Sequence, residues 1–227
     1  MNTLIEQLKN KRLIWQGNQQ QVFTSTNSSG YAELDHALQG GFPQQGVIDI
    51  DSPIGIGELR LMLPALRSRQ QQSNRLVVFI AAPMQINGEM LAEFGFALEQ
   101  ILILQPNSAE QALWSAEQCL KSGCCHGVLL WHKNVEIPQA KRLQLAAEQG
   151  DALQLIFRQD NPLKISLPID LAMKLASHRQ GISVQITKRK GGWLEKPFEV
   201  NMSANWPELT LPEMSSNVLS FSHVKVG

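Results

Sequence analysis

Leu76 to Ala81 is an unbroken run of six apolar residues, Leu-Val-Val-Phe-Ile-Ala. A short run of this kind suits a strand buried on both faces, and such strands belong to parallel sheets covered by helices on both sides. Further strands are read at Val47 to Ile50, Ile101 to Leu104, Gly127 to Trp131 and Leu153 to Phe157. Helical stretches separate them. One carries Leu59, Leu61, Leu63 and Leu66. A second starts at a Ser108 cap, has Glu110 and Gln111 in its first turn and runs through Leu120. A third runs from Ile137 to Gln149 and stops at Gly150. This alternation predicts an α/β fold, with a mostly parallel sheet flanked by helices.

The two ends of the chain depart from that rhythm. Leu4, Ile5 and Leu8 share one helical face, with Lys9, Lys11 and Arg12 largely off it. A polar linker, Asn18 to Ser29, follows. A short helix around Leu34 to Leu38 then leads to a tight turn at Gly40-Gly41-Phe42-Pro43. Near the other end, Ile182 to Thr187 alternates, Lys188 to Gly192 makes a basic turn, and Trp193 to Val200 resumes. This predicts a C-terminal antiparallel β-hairpin on the sheet edge. After Pro207, apolar residues including Leu219 and Phe221 stand among serines, as anchors in a tail. The expected organisation is an N-terminal helix and linker over 1–29, a core over 30–206 and a tail over 207–227. Leu4, Leu8, Trp15, Leu219 and Phe221 are the candidate partner contacts, set against docking of the N-terminal helix and Trp15 on their own domain and a disordered tail.

Twenty basic and twenty acidic residues give a formal net charge of zero. A global grip on a polyanion is therefore not expected, and local basic clusters are the places to look. Lys188, Arg189 and Lys190, with Arg179 and Lys174, are candidates for weak DNA contact, set against the ordinary reading of a solvated turn. Cys119, Cys124 and Cys125 are odd in number and lack ligand spacing, which fits reduced thiols and no metal site. The polar amino terminus lacks a signal-peptide core, and no apolar run is long enough for a membrane span. A cytoplasmic location is expected.

The most informative stretch joins the first core strand to its helix. A strand, a glycine-containing loop and a helix together make a phosphate site, because backbone N–H groups and the helix amino end point at one place. The working motif, GxxxxGK[ST], adds a lysine for the terminal phosphates and a hydroxyl for Mg²⁺. Here the loop reads Ser52-Pro53-Ile54-Gly55-Ile56-Gly57-Glu58-Leu59. Ser52 replaces the first glycine, Gly55 and Gly57 remain, Glu58 stands in place of the lysine, and Leu59 in place of the hydroxyl. Two like charges about 4 Å apart repel by about 4 kcal/mol at an effective dielectric of about 20, so the charge reversal alone opposes ATP. Two more strand ends agree. Leu129-Leu130-Trp131-His132 lacks the Asp that would hold Mg²⁺, and Ala81-Ala82-Pro83 lacks the Glu that would activate water. No cofactor and no catalytic residue are expected. His126 and His132 flank one strand without an assignable nucleophile, so a structural role is expected for both. Trp131 is read either as packing or as a plug in the vacated site.

Several of these segments resemble the RecA core. They are Gly30 to Ile50, with its glycine, Leu-Asp and Gly-Gly spacing, the Gln105 to Leu113 helix start, and the Val184 to Phe198 hairpin. Within that superfamily the chain looks like the ImuA family of translesion-synthesis accessory proteins. The residues carrying this likeness are Leu13-Ile14-Trp15-Gln16-Gly17, the Gly55 to Leu61 run with Leu63 to Leu66, and Arg142 to Glu148. That resemblance implies a damage-induced scaffold tethering an ImuB-like Y-family polymerase homologue and an error-prone replicative-type polymerase, with RecA contact and self-association as further possibilities. It also implies DNA contact, but the stretch from Arg158 to Lys164 is too short for the DNA-contacting loop of RecA. The alternative is the SulA family of cell-division inhibitors that bind FtsZ, similar over about Arg75 to Arg158 but without the Trp15 and Gly40-Gly41 features.

Overall fold

The computed structural model describes residues 26–159, 167–190 and 196–211. β1 (Thr26–Asn27) and β2 (Phe42–Pro43) pair antiparallel around a short helix, α1 (Ala32–Ala37). The chain then alternates through β3 (Gly46–Asp51), α2 (Glu58–Gln72), β4 (Leu76–Ile80), α3 (Gly88–Glu93), β5 (Ile101–Leu104), α4 (Ala109–Lys121), β6 (Cys125–Trp131), α5 (Ile137–Gln149) and β7 (Leu153–Arg158). β8 (Leu171–His178), β9 (Gly181–Arg189) and β10 (Phe198–Asn201) complete it. These strands form one sheet in the order β10-β9-β8-β3-β7-β6-β4-β5. β8 to β5 run parallel, and β9 and β10 extend the sheet antiparallel.

Successive residues of the parallel strands feed two separate cores. Ile48, Ile50, Val77, Phe79, Leu129 and Leu155 pack with α1 and α2 on one face. Val47, Val78, Ile80, Val128, Leu130 and Ile156 pack with α4 and α5 on the other. Burial on both faces is the reason these strands read as apolar runs. In β9 only one face is packed: Ile182, Val184 and Ile186 are buried while Gln185 and Thr187 are exposed. The expected pairing of β9 with β10 is present, with Phe198 opposite Val184. Two details differ from the sequence reading. β9 continues to Arg189, through residues read as the start of the turn, and β8 pairs along its other side, so the hairpin is part of a longer antiparallel ribbon.

Helix α2 contains Pro64, which has no N–H to offer the carbonyl of Arg60 one turn earlier. A side chain supplies the missing donor. The Tyr31 hydroxyl donates to the Arg60 carbonyl at 3.1 Å, and the Trp206 indole N–H donates to the Tyr31 oxygen at 3.1 Å. Trp206 also stacks on Phe94 with ring centroids 4.4 Å apart. Gly30 precedes Tyr31 at φ +86°, and a Cβ there would lie 2.5 Å from the Pro64 Cβ, so only glycine allows this approach. Tyr31→Phe leaves a carbonyl and an indole N–H without partners. It is expected to lower stability by about 1–3 kcal/mol in urea unfolding.

His126, near the start of β6, is 2 % exposed. Burial, and then the nearby Arg69 and Arg75 cations, push its imidazole down to about 4 from the ordinary 6.5. The unfolded chain therefore takes up this proton first as pH falls. Stability contributed by the neutral ring is intact above pH 6.5 and is lost as pH drops toward 4, by about 3 kcal/mol in all. Denaturant midpoints measured between pH 7 and 4 should fall in the wild type, and fall less in His126→Leu.

Candidate functional site

The loop 52–57 leaves β3 at the carboxyl edge of the sheet and turns directly into α2. Gly55 and Gly57 sit at φ +85° and +103°, a backbone form that draws neighbouring N–H groups toward one point. That point is filled from within the chain. The Glu58 side chain bends back from the first turn of α2. Its carboxylate accepts the Gly55 N–H at 3.0 and 3.1 Å, shared between the two oxygens, and the Gly57 N–H at 3.1 Å. Glu58 is 6 % exposed, and it lies where the amino end of a 15-residue helix favours negative charge. Ser52 is buried with its hydroxyl donating to the Pro53 carbonyl at 2.8 Å, and Leu59 packs against the first core.

The sequence predicts repulsion between Glu58 and a phosphate; the geometry adds occupancy. A phosphate would need the N–H donors that the carboxylate already holds. Mg-ATP therefore does not fit the residues present: the lysine and the hydroxyl are replaced, and the donor loop is filled. Among the described residues no group of three or more His, Cys, Asp or Glu side chains is placed to hold a metal ion.

The neighbouring strand ends are apolar and aromatic. The Trp131 ring stacks on Phe157 at 4.8 Å and on Phe79 at 6.4 Å. Trp131 borders three adjoining cavities. One of about 190 Å³ lies against Ser52, Ile54, Pro83 and Arg158. Another of about 250 Å³ runs past Gly57, Met84 and Met90. The third, about 580 Å³, opens beside His132, Lys133 and the amino ends of α4 and α5. Trp131 thus packs on its aromatic neighbours and lines the cleft without filling it. Beyond β4, Ala81 takes φ +55°, an uncommon form for a residue with a Cβ. Beneath the cleft, Arg158 pairs with Asp49, both side chains being under a tenth exposed. Burial pushes the Asp49 carboxyl above its ordinary range, against the opposing pull of Arg158. Burial likewise lowers the His132 imidazole.

The basic turn is engaged on the protein itself. The Lys188 ammonium donates to the Leu167 carbonyl. Arg189 is buried and donates to the Leu38 carbonyl at 2.8 Å and the Ala37 carbonyl at 3.3 Å, capping the end of α1. Lys190 lies 3.5 Å from the Asp170 carboxylate. This corrects the picture of three solvated cations, since two of them hold carbonyls inside the fold. The candidate contacts Leu4, Leu8, Trp15, Leu219 and Phe221 lie outside the described residues.

A parallel sheet flanked by helices, with a strand–glycine loop–helix unit at its carboxyl edge, defines a domain of the nucleotide-binding α/β class. The chain belongs to the RecA family: it matches the RecA N-terminal domain over residues 2–153, about two thirds of its length. It is 31% identical to the protein RecA of Brevibacillus brevis over 137 residues, which is 60% of this chain and 38% of the relative. RecA of Picosynechococcus is 28% identical over 135 residues, covering 60% and 38%. RecA of Bacillus subtilis is 31% identical over 129 residues, covering 56% and 36%. The chain thus spans less than two fifths of the length of these relatives. A crystal structure of SulA from Pseudomonas aeruginosa is 30% identical over 50% of this chain and 98% of that one, with a TM-score of 0.42. No helix among the described residues is long and apolar enough to cross a membrane.

Removing the Glu58 carboxylate strips the loop of its acceptor. Glu58→Ala is expected to lower stability by about 3 kcal/mol in urea unfolding, and Glu58→Gln, which keeps one neutral acceptor oxygen, by less.

Proposed function

We propose that this chain is a non-catalytic RecA-family accessory protein of the DNA-damage (SOS) response. It acts in the cytoplasm and supports error-prone translesion synthesis by tethering an ImuB-like Y-family polymerase homologue and an error-prone replicative-type polymerase. The observation that carries the non-catalytic half is the Glu58 carboxylate held on the Gly55 and Gly57 N–H groups. The two glycine N–H groups that would meet a phosphate are already held by this carboxylate. The partners come from the ImuA resemblance of the Gly55 to Leu61 run and of Arg142 to Glu148.

An interaction role also has support at the sheet edge. β5 is the terminal strand, and Leu102 and Ile103, on its opposite faces, are both exposed, as is Trp114 on α4. Apolar side chains on both faces of a strand that pairs on one side only among the described residues are a docking feature. Tethering works by concentration: holding two polymerases on one scaffold makes the second encounter intramolecular, with effective concentrations in the range of ~1 mM for short links.

Two measurements test this reading. The full chain should capture an ImuB-like protein in a pull-down, and calorimetry with Mg-ATP should give no binding heat. Failure to capture it, or a micromolar magnesium-dependent ATP site, overturns the proposal. Lowered FtsZ assembly by the purified chain, without polymerase capture, would replace it with the division-inhibitor reading.

A further inference from the structure

All three cysteines of the chain, Cys119, Cys124 and Cys125, fall between the last turn of α4 and the start of β6. An irregularity in β6 is the reason two of them meet. Leu76 of β4 pairs with Cys125 but Val77 pairs with Gly127, so β6 carries one residue more than its neighbour at this point. Beyond the shift, Gly127, Leu129 and Trp131 face the first core, Gly127 lying against Leu66 of α2. By simple alternation Cys125 would face the same way. The extra residue re-aims it, as a bulge does. Cys125 sits in the second core, 2% exposed, and the part-buried Cys119 of α4 packs on that same core.

The Cys119 and Cys125 thiols hydrogen-bond to one another. Cys124 is exposed, and its thiol donates elsewhere, to the Ser122 carbonyl at 3.6 Å. A thiol reacts as its thiolate, so the direction of each shift matters. The hydrogen bond from Cys125 lowers the Cys119 thiol, with burial acting against it. The same contact, and then burial, raise Cys125. Cys119 is therefore the nucleophile of the pair and Cys125 its donor. The strand side of the pair is held, because the Arg75 guanidinium donates to the Cys125 carbonyl. The turn side can give: 121–124 are exposed, and Gly123, at φ +70°, has open space where a Cβ would stand.

We propose that Cys119 and Cys125 are a site of reversible oxidation, which a peroxide converts to an intramolecular disulfide. In the first step the Cys119 thiolate attacks the peroxide. An S–O bond forms, the O–O bond breaks, and the leaving hydroxide takes a proton from solvent to become water. Cys119 is then a sulfenic acid. Cys125 loses the anionic neighbour that kept it protonated, and its sulfur attacks that of Cys119. The S–S bond forms, the S–O bond breaks, and the hydroxide departs with the Cys125 proton as a second water. Two electrons pass from the two sulfurs to one peroxide, and the sulfurs close to about 2.05 Å. The crosslink ties the last turn of α4 to the first residue of β6. A thiol reductant reverses it. This chemistry is independent of the partners proposed above.

Peptide mass mapping of the full chain tests the proposal. Trypsin cuts after Arg75, Lys121 and Lys133, which puts Cys119 in 76–121 and both Cys124 and Cys125 in 122–133. The reduced chain is treated briefly with hydrogen peroxide, its remaining thiols are alkylated, and it is digested without reductant. Wild type and Cys124→Ser should both give the two peptides joined, two hydrogens lighter than their sum. Joined peptides missing from Cys124→Ser would assign the bridge to Cys124 and overturn the proposal. So would a bridge found only between two copies of the chain. Cys124→Ser/Cys125→Ser should instead leave Cys119 as a sulfenic acid, trapped by a cyclic diketone probe, and unmodified Cys119 there overturns the first step. Alkylation before oxidation tests the hydrogen bond. At pH 7 iodoacetamide should modify Cys119 several-fold faster in the wild type than in Cys125→Ala, and an equal or slower rate overturns the role given to Cys125.

Discussion

β3 is hydrogen-bonded on both sides, to β7 and to β8, and all three strands run in parallel with Asp51 opposite Arg158 and Lys174. That double pairing dictates where the following loop emerges. A strand enclosed on both edges and both faces can only pass its chain out at the carboxyl end, among the ends of its neighbours. The buried Asp49–Arg158 pair ties β3 to β7 just below this point. Burial holds the Asp49 carboxyl high in spite of the guanidinium, so the pair adds little net stability; its stronger effect is on alignment. A slip of one residue along either strand would leave one of two charges in the core without its partner.

The filled loop follows from that position. Residues 52–57 meet the amino end of α2 with Gly55 and Gly57 in left-handed form, which gathers N–H groups that something negative must satisfy. In a nucleotide-binding relative of this architecture the ligand does so. Here Glu58 does, from the first turn of the same helix, and the aromatic stack of Trp131, Phe157 and Phe79 replaces polar strand ends. The strand ends beside the loop are consequently aromatic, while Arg158, His132 and Lys133 also border the cleft.

Much of this was legible in the sequence. The parallel strands announce themselves as apolar runs because both faces are buried, and the loss of lysine at Glu58 and of the hydroxyl at Leu59 can be read directly. The return of Glu58 onto its own loop could not be read, though an acidic residue in a first helical turn after two glycines is a signal for it. β8 was missed because Leu-Ala-Met-Lys-Leu-Ala-Ser-His favours helix by propensity, and only pairing with β3 and β9 overrides that. Arg189 looked like a free cation in a turn because the carbonyl it caps lies 151 residues earlier. Pro64 did carry a readable hint: a proline inside a helix implies a carbonyl in need of a donor, and Tyr31, the sole tyrosine of the chain, is that donor.

The internal carboxylate at Gly55 and Gly57 has a consequence for timing. A RecA-type core with an open phosphate loop has two states to report, loaded and spent, and anything attached to it can be made to follow that cycle. A loop closed by its own side chain has one. On the non-catalytic reading proposed above, surfaces carried on this core would present the same shape in a starved cell as in a well-fed one, and their regulation would come from how much of the chain is made and from what occupies its edges.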